Sequence, residues 1–163
     1  MILKTNPVGI DIVIQDLKKY LDAKLTAWGL EIFERAEVKE KKPLVFVSKN
    51  DYRDALIFSD KINGRVFFVE NSTTKSGSLS TTEIDVIFLL NVVNIFPDIT
   101  HRADEELRVE IYNVLVRKFN RAEITITKGI DALDGFETKL IDMQPHHFLK
   151  FSFEVSYNLK NKC

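Results

Sequence analysis

The sequence predicts an α+β fold: a single domain whose antiparallel or mixed β-sheet, with a β-hairpin, carries two main helices. Three observations predict it. Ile10–Trp28 and Ala103–Phe119 repeat apolar residues at three- and four-residue steps, the period of a helix with one buried face. Val86–Phe96 is apolar on both faces of a strand, and Phe148–Tyr157 alternates apolar and polar. The runs between them are short and joined by turn signals, so strands neighbouring in sequence pair directly.

The first helix begins at Asn6-Pro7, with Asn as cap and Pro at the first helical position. Its stripe is Ile10, Val13, Ile14, Leu17, Leu21, Leu25 and Trp28; Asp16, Lys18, Lys19 and Asp22 lie opposite, and Gly29 ends it. "LEIFERAEV" leads into the charge run Lys39-Glu40-Lys41-Lys42, read as a solvated connector. Pro43 opens the short strand "PLVFVS".

Residues 55–71 predict the hairpin, because Asn63-Gly64 suits a two-residue turn with positive φ at both positions. In that register Leu56, Phe58, Ile62, Phe67 and Val69 share one face. Asn71–Thr82, "NSTTKSGSLSTT", reads as an exposed flexible loop. The longest strand follows, Glu83–Ile95, stopped by Pro97. Being apolar on both faces, it needs cover on two sides.

The second helix runs over Arg102–Phe119, with Ala103, Leu107, Ile111, Val114, Leu115 and Phe119 as its main stripe. Val109, Tyr112 and Val116 add a second stripe, wider than contact with one sheet requires. "AEITITKG", a Gly- and Asp-containing loop, and a final strand after Pro145 complete the chain.

Composition narrows the functional classes. With 163 residues, 45% hydrophobic and 29% charged, the chain is long enough to bury a core. Lys and Arg number 23 against 24 Asp and Glu, so no basic excess points to nucleic acid or an anionic membrane. Phe occurs 12 times, which favours strand-rich packing. The only cysteine, Cys163, allows no intramolecular disulfide and no Cys-based metal knuckle. "MILKTNPVGI" lacks the pattern of a secretory signal. The most apolar run, Val86–Phe96, has 11 residues; a membrane-spanning helix needs about 20.

Two patterns invite a chemical reading. His146 and His147 are adjacent, but in a strand they point to opposite faces and cannot share an ion. Pro97-Asp98 with Glu137-Thr138-Lys139 matches a loose metal-dependent nuclease pattern, in which two carboxylates hold Mg²⁺ and a lysine stabilises developing charge. Acid-x-Lys also occurs at Asp16, Asp22, Glu37 and Glu40, so the match carries little information. No phosphate loop, dinucleotide fingerprint or nucleophile elbow is present, and no cofactor is implied.

What remains is surface. The two-sided strand, the Tyr112 and Val116 stripe, and Phe148 on an otherwise polar strand face all point to protein–protein contact. The layer over the second apolar face comes either from the hairpin or from a neighbouring subunit.

The N-terminal helix, "KPLVFVS", "TTEIDVIFLLNVVNIF", "RADEELRVEIYNVLVRKF" and "FLKFSFEVSYNL" together resemble the tail terminator, or tail-completion, proteins of long-tailed bacteriophages. The likeness is of element order and hydrophobic pattern and covers roughly residues 8–159. It implies a non-enzymatic structural virion protein, assembled in the host cytoplasm, that forms a homo-oligomeric ring, usually a hexamer. Such a ring caps the tail tube protein and meets the head–tail connector or neck, with DNA only as passing cargo and no membrane. On that reading Lys39, Lys41 and Lys42, with Ser72, Thr73, Thr74, Lys75 and Ser76 of the polar loop, are candidate contacts with neighbouring subunits, tube or connector. The alternatives are a neck adaptor ring of different symmetry and the metal-dependent nuclease.

Overall fold

Helix α1 spans Ile10–Lys24 in a computed structural model that describes residues 3–120 and 123–159; Ala122 and Cys163 lie outside those residues. It starts three residues after Pro7, with Gly9 at its N-cap. The Gln15 side chain accounts for the delay: its amide donates to the Lys4 carbonyl (2.8 Å) and its oxygen accepts from the Lys4 N–H (2.5 Å). Those bonds hold the preceding segment across the first turns instead of letting it coil. Leu25 and Trp28 continue the buried stripe through a 3₁₀ turn, Thr26–Trp28, and Gly29 closes it in the left-handed conformation, as its sequence position predicts.

Four short strands follow: β1 (Glu31–Arg35), β2 (Glu37–Lys39), β3 (Lys42–Ser48) and β4 (Asp51–Asp54). The last three form an antiparallel sheet that the sequence reading does not contain. Its first turn is the charge run. Lys39 pairs with Lys42 across Glu40 and Lys41, whose φ values are 51° and 59°. The run is solvent-exposed, as expected, but it is a tight hairpin turn and not a connector.

No hairpin forms about Asn63-Gly64. Gly64 instead opens β5 (Gly64–Ser76), opposite Leu90 in β6 (Leu79–Asn91). The hairpin turn lies at Gly77-Ser78, so the segment read as a flexible loop is the paired end of two 13-residue strands. Thr73, Thr74 and Lys75 are strand residues opposite Thr82, Thr81 and Ser80. Leu56, Phe67 and Val69 do share a buried cluster, with Phe58 packed against it, although they are not cross-strand partners.

Strand β6 ends at Asn91, four residues before Ile95, because the Asn91 side chain accepts the Asn94 N–H (3.2 Å) and caps the one-turn helix α2 (Val92–Ile95). Helix α3 spans Asp104–Phe119. It begins after Arg102, whose guanidinium forks onto the Asp104 carboxylate at 2.7 and 2.8 Å. Strand β7 (Thr125–Lys128), a 3₁₀ turn (Gly129–Leu133) and β8 (His146–Asn158) follow.

The fold is α+β, with a mixed five-stranded sheet in the order β1-β5-β6-β8-β7. The β1–β5 pair is parallel and every other pair antiparallel. Both main helices lie on one face, where Leu17, Leu21, Leu107, Ile111 and Leu115 pack on Val66, Phe68, Val86, Phe88, Phe151 and Phe153. Phe67, Val69, Ile87 and Leu89 face the other way and meet Ala36, Val45, Ala55, Leu56, Ala132 and Leu133. The small sheet and the segment after β7 therefore cover the second apolar face from within the chain. No neighbouring subunit is needed there. Phe148, 1% exposed, belongs to this second cluster; it is a core residue and not an interface aromatic.

Candidate assembly surface

Strand β8 separates the two histidines as its pleat requires. His147 is buried, with Nδ1 3.7 Å from an Asp142 carboxylate oxygen. His146 stacks edge-on against Phe58 (5.0 Å) and places Nε2 3.1 Å from Asp60. Asp98 lies in the turn after α2 and not at a helix start. Glu137 lies in a loop, its N–H bonded to the Lys41 carbonyl (2.9 Å). Among the described residues, no three His, Cys, Asp or Glu side chains gather in a way that could hold a metal ion.

The predicted contact residues fall on three separate elements. Lys39, Lys41 and Lys42 ring the β2–β3 turn, all exposed. Ser72, Thr73, Thr74, Lys75 and Ser76 are exposed along the outer end of β5. Tyr112 is 40% exposed and Val109 49%, on the side of α3 away from the sheet; Val116 is half-buried beside them. Phe148 alone is withdrawn from the surface.

The outer end of β5 belongs to a ribbon. Strand β1 accompanies β5 only as far as Phe68, and β7 accompanies β8 only as far as Ser152. Beyond them β5, β6 and β8 continue as three strands, joined by the pairs from Thr73–Thr82 to Ser76–Leu79 and from Ile84–Phe153 to Leu79–Asn158. Among the described residues, no strand pairs with either outer edge of this ribbon. Its hydroxyls pair across strands, Thr73 with Thr82 (3.1 Å) and Thr81 with Ser156 (2.9 Å).

The sequence reading misses a groove beside β1, the other edge strand. Cavities of about 330 and about 660 Å³ adjoin there, both lined by Glu34 and Phe46. Their carboxylates are Asp11, Asp22, Glu31, Glu34, Glu37 and Glu70; their cations are Lys4, Lys18 and Arg35. Phe46 packs edge-on against Tyr52 at 5.6 Å, and Val38, Phe46 and Tyr52 are all exposed. Lys18, 2% exposed, sits beneath with Nζ 3.8 Å from Glu34. Burial pushes its ammonium pKa down, and the Glu34 charge and hydrogen bond oppose that shift only in part. Arg35 bridges Glu70 (2.7 Å) and Asp11 (3.4 Å), and Lys4 pairs with Asp11. Tyr157 donates to Glu70 (3.4 Å), and burial, with the Glu70 charge, raises its pKa.

The helical wheel holds the signal for Lys18. It stands four residues after Ile14 and three before Leu21, at the border of the apolar stripe and not opposite it. The groove itself depends on the parallel β1–β5 pairing, which no local pattern announces.

No protein-family model and no curated protein matches the chain. Among the described residues no helix is long and apolar enough to cross a membrane.

Proposed function

We propose that the chain is the subunit of a ring, usually of six copies, that caps the tail tube of a long-tailed bacteriophage and joins it to the head connector. The single observation that carries the reading is the three-stranded ribbon, whose two outer edges continue past both edge strands with no pairing strand among the described residues. Exposed strand edges template pairing with further chain. Here they are long and polar, which suits a specific, reversible contact better than a core. The Val109–Tyr112 patch on α3 adds an apolar contact on a second surface.

A ring ends polymerisation by geometry. Copies joined through two different patches close when the rotation closes, and a tube subunit meeting the ring finds no edge to extend. The reading assigns no catalytic step, cofactor or metal, and places the protein in the virion tail or neck. The test is a tube-extension assay with the tail tube protein of the same virus. Added protein is expected to bind tube ends and halt elongation. Binding to the connector with no effect on tube length identifies a neck adaptor instead.

A further inference from the structure

We propose that the ribbon tip of one copy, Asn71–Leu79, seats in the acidic groove beside β1 of the next copy, so that each subunit offers one arm and one receptor. The inference rests on the ring reading and names the surfaces that join its subunits.

Both halves of the contact lie on one chain and match in charge and form. Of the groove's six carboxylates, Asp11, Glu31, Glu34 and Glu70 pair with cations of their own chain, while among the described residues no cation pairs with Asp22 or Glu37; Lys75 is the one charged residue between Asn71 and Leu79. The tip also presents the hydroxyls of Ser72, Thr74, Ser76 and Ser78, donors that carboxylates accept well. Leu79, 44% exposed at the tip, matches the exposed Phe46–Tyr52 pair on the groove wall. Strand β1 is the sheet's edge, so the arriving strand meets backbone as well as side chains.

The base of the arm touches its own groove, where Thr73 donates to Glu70 (3.2 Å), but the tip runs on past it: β1 pairs with β5 no further than Phe68, and Leu79 pairs with Asn158 at the far end of the ribbon. Arm and receptor are different patches, and such a heterologous contact builds a ring when its rotation closes.

The test uses the full chain with Cys163→Ser, carrying Lys75→Cys and Glu37→Cys together, oxidised at assembling concentration and run on a denaturing gel. The expected result is a ladder of cross-linked oligomers that neither single cysteine variant produces. In parallel, Lys75→Glu is expected to lower the assembled fraction several-fold, and Glu37→Lys in the same chain to recover part of it. Rings seen by imaging without the ladder, and indifferent to Lys75→Glu, overturn the pairing, leave the ring reading standing and give the groove to another partner. A protein that stays monomeric at every concentration overturns both.

Discussion

Lys18 buries its ammonium group under the groove, 3.8 Å from the Glu34 carboxylate, on a helix face otherwise occupied by Ile14, Leu17 and Leu21. Weakening such a pair leaves a buried charge less well balanced, whereas removing the buried charge costs little. Glu34→Gln is expected to destabilise by about 1–3 kcal/mol, less than a fully buried pair because Glu34 is partly exposed. Lys18→Met is expected to be neutral or stabilising. The folded pKa of Lys18 lies below its unfolded value, so between the two the unfolded chain binds the extra proton. Stability therefore rises with pH as Lys18 deprotonates in the fold, up to the ordinary lysine range. Urea titrations across neutral to alkaline pH check this, and Lys18→Met should flatten the rise.

Phe148 distinguishes core from interface. Buried among Ile87, Leu89 and Leu133, it should cost about 3–5 kcal/mol on truncation to Ala. Denaturant midpoints of Phe148→Ala and Phe148→Leu should fall in order of volume lost. Protein of either variant that remains folded should assemble as the parent does.

Much of the fold is legible because its signals are local. The stripes of α1 and α3 and the alternation of β8 reach the structure with their buried residues nearly unchanged. The failures are of partnership. Asn63-Gly64 reads as a turn, yet Gly64 is there because β5 and β6 pass close. The β5–β6 turn falls on Gly77-Ser78 instead, and a further two-residue turn falls on Glu40-Lys41, a pair with no turn signature. Asn71–Thr82 reads as a loop by composition, but its threonines are β-branched and pair across β5 and β6. The exposure of the lysines, the hydroxyl segment and Tyr112 was legible. The groove was not legible, because Lys18 and Glu34 meet there only after β1 pairs with β5.

Gly64 supplies a direct check on that reading. A Cβ there would lie 2.8 Å from the Leu89 carbonyl oxygen and 2.8 Å from Leu30 Cδ2. Gly64→Ala is expected to cost about 1–3 kcal/mol by overpacking. Gly77→Ala has open space but a φ of 64°, and should cost roughly 1–2 kcal/mol by backbone strain alone. Thermal melts of the two variants check the order of effects.

The first turn of α3 contributes to the acid response. Hydrogen bonds from Lys128 and Arg108 hold the Glu105 pKa below its usual value, and His101 does the same for Glu106. Burial pushes Asp104 up, but the Arg102 fork outweighs it and the net shift is downward. Folded values below unfolded ones mean that the unfolded chain takes up protons first as pH falls. This stabilisation is complete above the ordinary carboxylate range, near pH about 4.5, and fades as pH drops through the depressed values. The double variant Glu105→Gln, Glu106→Gln should show a shallower loss of stability below that pH in urea titrations.

The most direct test of the account is the mass of the purified protein in solution, measured by light scattering across a concentration series and paired with electron imaging. A discrete closed ring is expected, six-fold in projection, whose mass does not grow further with concentration. A monomer at every concentration, or an open-ended polymer, would contradict the account.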